Sequence, residues 1–182
     1  MLGTRKYQSC AIDLYQGDLT EFVCDAMVNA ANERLAGGGG IDGAIHRAGG
    51  PTILAECRRI GRCPTGQAVV TSAGQLPASY VIHTVGPVWN GGEQDESGLL
   101  HAAHLNSLVQ AAGLPVRHVA FSALSTGVYG YPADQAATVA MGAIRDFLDT
   151  GRSGALQRIT FVLFTSDLYE AWQRALFETF SE

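Results

Sequence analysis

Apolar and polar positions along this chain fall into two alternating rhythms. Short apolar or alternating runs over residues 10–15, 26–29, 68–72, 80–85, 119–123 and 159–164 have the length and texture of strands. Between them, residues 41–48, 52–60, 99–112, 133–148 and 168–177 repeat apolar positions at helical spacing, which gives each segment one buried face. Pro51 and Pro132 stand where helices can begin, since the first helical residue needs no N–H donor. Gly61, Gly113 and Gly151 follow helical runs, as C-terminal caps do. Strands alternating with helices predict an α/β domain whose sheet is covered on both faces. The segment 89–98, with its glycine pair and acidic residues, reads as the most flexible connection.

Length and charge narrow the picture. A chain of 182 residues fits one domain, 1–182. Its 47% hydrophobic and 16% charged residues support a compact core and separate it from disordered chains. No apolar run reaches the roughly 20 residues of a membrane span, and no leader pattern opens the sequence. A soluble, cytoplasmic, monomeric protein is expected. The net charge is −5 with Lys6 the only lysine, so the basic stripe of a nucleic-acid binder is missing and direct nucleic-acid binding is not expected. Arg58, Arg59 and Arg62 lie near the end of a helical segment and read as a solvated face. Any anionic ligand must then be held largely by backbone. Cys10, Cys24, Cys57 and Cys63 lack the paired spacing of a zinc site and read as reduced thiols, most of them packed as small hydrophobes. His101 and His104 can share a helix face, but no carboxylate or thiolate stands nearby to complete a metal site. Neither a metal nor a cofactor is expected.

Two glycine loops carry the candidate chemistry. The first, Gly37-Gly38-Gly39-Gly40, opens a helix directly, so its backbone can approach a ligand while unpaired amides and the helix dipole favour an anion. The second, Ser125-Thr126-Gly127-Val128-Tyr129-Gly130-Tyr131-Pro132, also follows a strand and precedes a helix. Ligands of such sheets bind beyond the carboxyl ends of the strands, so the two loops could hold a pyrophosphate between them. Residues 38–43 also satisfy G-x-G-x-x-G, but no buried strand precedes them directly, and Glu56, at the expected acidic spacing, falls in a helical segment. Hydride chemistry is the poorer reading.

Several side chains flank these loops. Asp42 and His46 are four residues apart and share a helix face, either as a working pair or as a helix-start stabiliser over a packed ring. Asp42, in a first helical turn, is a weak base, better suited to holding a ribose hydroxyl or orienting water. Asn29 and Asn32 end an apolar strand and offer donors and acceptors; Asn29 has the more structural reading. Asp18 could accept from an adenine amino group, although a turn or helix cap is the more economical reading. Ser125 lacks the glycine flanks of a nucleophile elbow, which argues against a covalent serine mechanism.

Taken together, Gly17-Asp18-Leu19-Thr20, Asn29-Ala30-Ala31-Asn32, the stretch 37–43 with His46-Arg47-Ala48, and the stretch 125–132 resemble the macrodomain family, its MacroD-type branch in particular. Cys63-Pro64-Thr65-Gly66, the stretch 81–87 and the stretch 89–94 extend the likeness in order through nearly the whole chain. It is most similar to the stand-alone bacterial O-acetyl-ADP-ribose deacetylases. The resemblance implies a three-layer α/β/α fold with a central mixed sheet and an ADP-ribose cleft. It assigns Asp18 and Leu19 to the adenine side, and Gly38, Gly39, Gly40, Ile41, Ser125, Thr126, Gly127, Val128 and Tyr129 to the diphosphate. Asn32 and Asp42 would hold the distal ribose and the attacking water, with Tyr129 shaping the water site and Asn29 and His46 in support. The implied chemistry is metal-independent hydrolysis of an ester on the distal ribose, in O-acetyl-ADP-ribose or in proteins mono-ADP-ribosylated on Asp or Glu. The rival readings are an ADP-ribose reader without turnover and a regulatory protein-binding role. Asn32, Asp42 and Tyr129 together favour turnover. After the last strand this chain carries Phe164-Thr165-Ser166-Asp167, where related enzymes have a tyrosine and an acidic pair; Phe164 would stack on adenine without the hydroxyl.

Overall fold

A computed structural model describes residues 3–181, so residues 1, 2 and 182 of the expected domain lie outside the description. Among the described residues seven strands form one sheet: β1 (Thr4–Tyr7), β2 (Cys10–Gln16), β3 (Ala26–Ala30), β4 (Ala68–Ser72), β5 (Tyr80–Thr84), β6 (His118–Phe121) and β7 (Arg158–Leu163). Five helices cover it: α1 (Gly40–Gly49), α2 (Pro51–Ile60), α3 (Glu96–Ala112), α4 (Ala133–Asp149) and α5 (Ser166–Thr179). The strand order is β1-β2-β7-β6-β3-β5-β4, parallel through the five inner strands and antiparallel at both edges. This is the mixed sheet that the resemblance implied.

Alternation along the strands builds the three layers. Val28, Phe121 and Phe161 point to one side and join Leu108, Ile144 and Trp172 of α3, α4 and α5. Met27, Ala120 and Val162 point to the other and join Ile45, Ile53 and Cys57 of α1 and α2. Both faces are buried, so the inner strands read as apolar runs and not as clean alternation. No described helix is long and apolar enough to cross a membrane.

Helix ends follow the sequence signals with small shifts. Pro51 begins α2, Pro132 immediately precedes α4, and Gly61 and Gly113 cap α2 and α3. The third helix starts at Glu96, three residues before the apolar period begins, after Asp95 takes a left-handed φ of 57°. Strand β1 was not foreseen: TRKY is short, polar and half exposed, and it pairs antiparallel with β2 at the sheet edge. Because β2, β7, β6, β3 and β5 run parallel, their carboxyl ends lie along one edge of the sheet, and the loops after them converge there.

Candidate active site

The chain after β3 wraps over the sheet edge and enters α1 through Gly39, which caps that helix with extended backbone. The first-turn N–H groups of a helix have no internal acceptor, and here they open onto a cleft. Across it lies the second glycine loop, after β6. Together they enclose about 240 Å³ lined by Asn32, Gly38, Gly39, Gly40, Ile41, Asp42, Ser125, Gly127, Val128 and Tyr129. An adjoining, more apolar chamber of about 440 Å³ shares Gly40, Ile41 and Gly127 and adds Asp18, Leu19, Thr126, Val162, Phe164 and Leu168. A wider groove of about 770 Å³, lined by Lys6, Arg117 and Arg158, lies where the parallel strands begin, remote from both loops. All the site residues read from the sequence except Asn29 and His46 line the two chambers; those two lie beneath Asp42.

Asp42 is the buried carboxylate of the cleft, 5% exposed in the first turn of α1. Its Oδ1 accepts from the Asn29 side-chain amide at 2.8 Å and faces His46 Nε2 at 3.3 Å. Its Oδ2 points the other way: a methyl group on Gly38 would lie 3.3 Å from it and 3.7 Å from Asn32 Nδ2. One oxygen is therefore held from below while the other faces the glycine loop. The Asp42 and His46 side chains share one helix face, as their four-residue spacing implied. Asn29 is fully buried, in keeping with the structural reading given to it.

Beneath Asn29 lies a polar cluster that sequence reasoning missed. His83 on β5 is register-paired with Asn29 on β3, and its Nδ1 lies 3.1 Å from the Asn29 amide nitrogen. His83 Nε2 meets the Thr71 hydroxyl at 2.9 Å, and that hydroxyl also lies 2.9 Å from the carbonyl of Ser72. Burial, with His46 nearby, pushes the His83 ring down to about 3, so it is neutral at any working pH. His46, Cys57 and His83 each bring a potential metal-donor atom within 4.8 Å of the others. Both His83 nitrogens are already engaged, however, and burial pushes the Cys57 thiol up to about 11. A metal there would have to displace Asn29 or Thr71. Separations of 11 and 26 residues in the sequence concealed the cluster.

The cleft walls are fixed by local hydrogen bonds. Asn32 donates to Gly37 O at 2.8 Å and accepts from the Ala36 amide at 3.3 Å, which pins the first loop and leaves one amide hydrogen free. Ser125 takes a left-handed φ of 65°, unusual for a residue with a Cβ, and its buried hydroxyl has no protein partner. Room for that hydroxyl exists because Gly86 has no side chain. The Trp89 backbone N–H donates to Tyr129 O at 2.8 Å, and its ring packs on Tyr131 at 4.6 Å, so the start of the segment expected to flex is tied to the second loop. The 98% exposed Val128 stands at the rim.

In the apolar chamber, Asp18 proves to be a cap: its Oδ1 accepts from the N–H and hydroxyl of Thr20 at 2.8 and 2.7 Å. It also lines the chamber, so capping and ligand contact are compatible. Phe164 is 75% exposed over that chamber, while Thr165 turns away to cap α5. Outside the cleft, and against the expectation that no carboxylate stands near the pair, Asp146 of α4 meets His101 at 2.8 Å on the surface, while His104 is buried against Phe121, so the two rings do not converge. Among the described residues the cysteines are free and buried.

These features define the class: an α/β domain with a two-chamber ligand cleft above its strand ends and a buried carboxylate between two glycine loops. The chain belongs to the Macro domain family, whose profile matches residues 28–140. It is 50% identical over 169 residues to the O-acetyl-ADP-ribose deacetylase of Citrobacter rodentium (strain ICC168), covering 91% of this chain and 94% of that protein. It is 51% identical over 164 residues to the enzyme of that name from Klebsiella pneumoniae (strain 342), covering 88% and 93%. A mutant of the Oceanobacillus iheyensis macrodomain solved with ADPR superposes with a TM-score of 0.91 at 34% identity, covering 98% of both chains. The Trypanosoma brucei macrodomain in complex with ADP-ribose superposes with a TM-score of 0.83 at 42% identity, covering 91% of this chain and 68% of that one.

Proposed function

We propose that this protein binds ADP-ribose and hydrolyses esters on its distal ribose, as the names of its relatives suggest for O-acetyl-ADP-ribose. The observation that carries the reading is the divided carboxylate of Asp42, with Oδ1 held by Asn29 and Oδ2 free toward the cleft. A reader module needs a cradle; it does not need a buried carboxylate held with one oxygen free.

In this reading the adenine enters the apolar chamber between Asp18, Leu19 and Phe164. The diphosphate lies between Gly38, Gly39, Gly40 and Ile41 on one side and Ser125, Thr126, Gly127, Val128 and Tyr129 on the other, held by amides in a chain with few cations. The distal ribose reaches Asn32 and Asp42, with Tyr129 closing the water site. Water adds to the ester carbonyl carbon, the tetrahedral intermediate collapses, and the bond to the ribose oxygen breaks. That oxygen regains a proton, leaving ADP-ribose and a carboxylic acid. Asp42 Oδ2 orients the water, and a phosphate oxygen of the substrate helps to take its proton.

The same chemistry extends to esters of protein Asp and Glu. Past Tyr129 and Asn32 the cleft continues into an open depression of about 560 Å³ lined by Glu33, Arg34, Thr65, Gly86 and Val88. An acetyl group leaves most of that space empty, whereas a peptide segment can lie in it. The test is ADP-ribose release from O-acetyl-ADP-ribose and from a mono-ADP-ribosylated protein, run beside Asp42→Ala with calorimetric binding of ADP-ribose. Release by the native chain and not by the variant supports the enzyme. Tight binding without release from either substrate replaces it with a reader.

A further inference from the structure

We infer that Thr71 and His83 are positioning residues that hold Asp42 in its working orientation by locking one tautomer of a buried imidazole. Their role rests on the hydrolase reading and adds two residues that lie outside the lining of both chambers.

The chain of hydrogen bonds starts at a carbonyl. The Thr71 hydroxyl lies 2.9 Å from both Ser72 O and His83 Nε2; with its one hydrogen on the carbonyl, it accepts from His83. Asp42 Oδ1 accepts from Asn29, whose second amide hydrogen then faces His83 Nδ1, so the ring proton sits on Nε2, 2.9 Å from the Thr71 hydroxyl and 3.8 Å from Cys57 Sγ. A neutral imidazole has one N–H, so Nδ1 is bare and accepts from Asn29 at 3.1 Å. That fixes the Asn29 amide with its NH2 group between His83 and Asp42, one hydrogen for each. Asn29 Oδ1 is left buried with no protein partner. A free asparagine would turn to avoid that cost; here two acceptors on the other side hold it in place.

Moving the proton reverses the arrangement. With a hydrogen on Nδ1, His83 presents a donor to Asn29, and the amide turns to offer Oδ1. The same turn sets Oδ1 against the Asp42 carboxylate, replacing an attraction with a repulsion. Burial keeps the ring neutral, so the choice lies between the two tautomers and is not set by pH. Thr71 supports the Nε2–H tautomer from a position two residues removed from Asp42.

The test is Thr71→Val, which keeps the shape of the side chain and removes the hydroxyl. Thr71→Ser restores the hydroxyl. Thr160→Val is the matched control, because Thr160 is a buried threonine 2.8 Å from the His118 ring and lies outside the cleft. In Thr71→Val, kcat should fall about ten- to a hundred-fold with KM little changed, the scale seen when a residue supporting a functional side chain is lost. Thr71→Ser and Thr160→Val should both keep near-native kcat. In the native protein, 15N shifts of His83 should show a protonated Nε2 and a bare Nδ1, and Thr71→Val should move the proton toward Nδ1. Native kcat in Thr71→Val, an equal loss in Thr160→Val, or a native His83 with Nδ1 protonated would each overturn the inference. If the native chain turns over no ester, the hydrolase reading fails, and the 15N pattern still decides the relay.

Discussion

The side-chain amide of Asn29 donates to Oδ1 of Asp42 at 2.8 Å, across 13 residues of sequence, from a strand to a helix start. The bond ties the orientation of α1 to the sheet and leaves Oδ2 as the working oxygen. Charge at that oxygen and its position can therefore be varied separately.

Replacing Asp42 with Asn removes the charge but keeps an oxygen that can accept from Asn29. The fold and the first-turn geometry should persist, with ADP-ribose affinity close to native by calorimetry. Turnover of O-acetyl-ADP-ribose should fall by about a hundred-fold or more, the scale of a lost general acid–base or water-orienting group. Full activity in Asp42→Asn would remove this residue from the mechanism.

Adjacent glycines should behave differently. A methyl on Gly38 would crowd Oδ2 of Asp42 and approach the Asn32 amide, whereas one on Gly39 meets nothing within 4 Å. Gly38→Ala should lower kcat by displacing the water that Oδ2 orients. Gly39→Ala should keep kcat at saturating substrate. Steady-state kinetics on the pair checks this, and equal kcat values would place the water elsewhere.

Much of this was legible in the sequence, for identifiable reasons. The inner strands and all five helices show through because a sheet buried on both faces demands apolar runs and each covering helix demands a stripe. Asp42 and His46 were readable as a pair because helical spacing is a local property. Thr71, His83 and Cys57 were not, because only β3–β5 and β4–β5 pairing and the packing of α2 bring them together. Asp18 shows another limit: its cap and its place in the apolar chamber use one carboxylate, so the two sequence readings were never exclusive. Strand β1 escaped because an edge strand with one covered side can be nearly all polar.

Phe164 offers a ring to the apolar chamber and little to the core, being 75% exposed. Phe164→Ala should leave thermal stability nearly unchanged and weaken ADP-ribose binding about two- to tenfold, the equivalent of one aromatic stacking contact. kcat should hold, because the ring lies in the chamber away from Asp42. Calorimetry on the variant decides it; unchanged affinity would mean that adenine is held without the ring.

Acid should destabilise the protein as pH falls below about 6.5. Burial pushes His83 down to about 3 and His104 to about 4 from an ordinary 6.5, so neither ring takes a proton in the folded state near pH 5. The unfolded chain does take those protons below about 6.5 and is favoured by them. The sign is then set: stability is full above about pH 6.5 and declines as pH falls, until His104 and then His83 titrate in the folded protein. Each ring contributes on the order of 1 kcal/mol per pH unit within that window. Urea unfolding at pH 7, 6 and 5 should show the decline, and calorimetry near pH 5 should show uptake of at least two protons on unfolding, from His83 and His104, with His118, also shifted down by burial, adding to it. His104→Leu removes one titrating ring from the packing against Phe121 and should flatten the slope by about one proton. A stability that stays level from pH 7 to 5 would mean that these rings already accept protons in the fold, and the neutral His83 on which the Asn29 orientation depends would be lost with it.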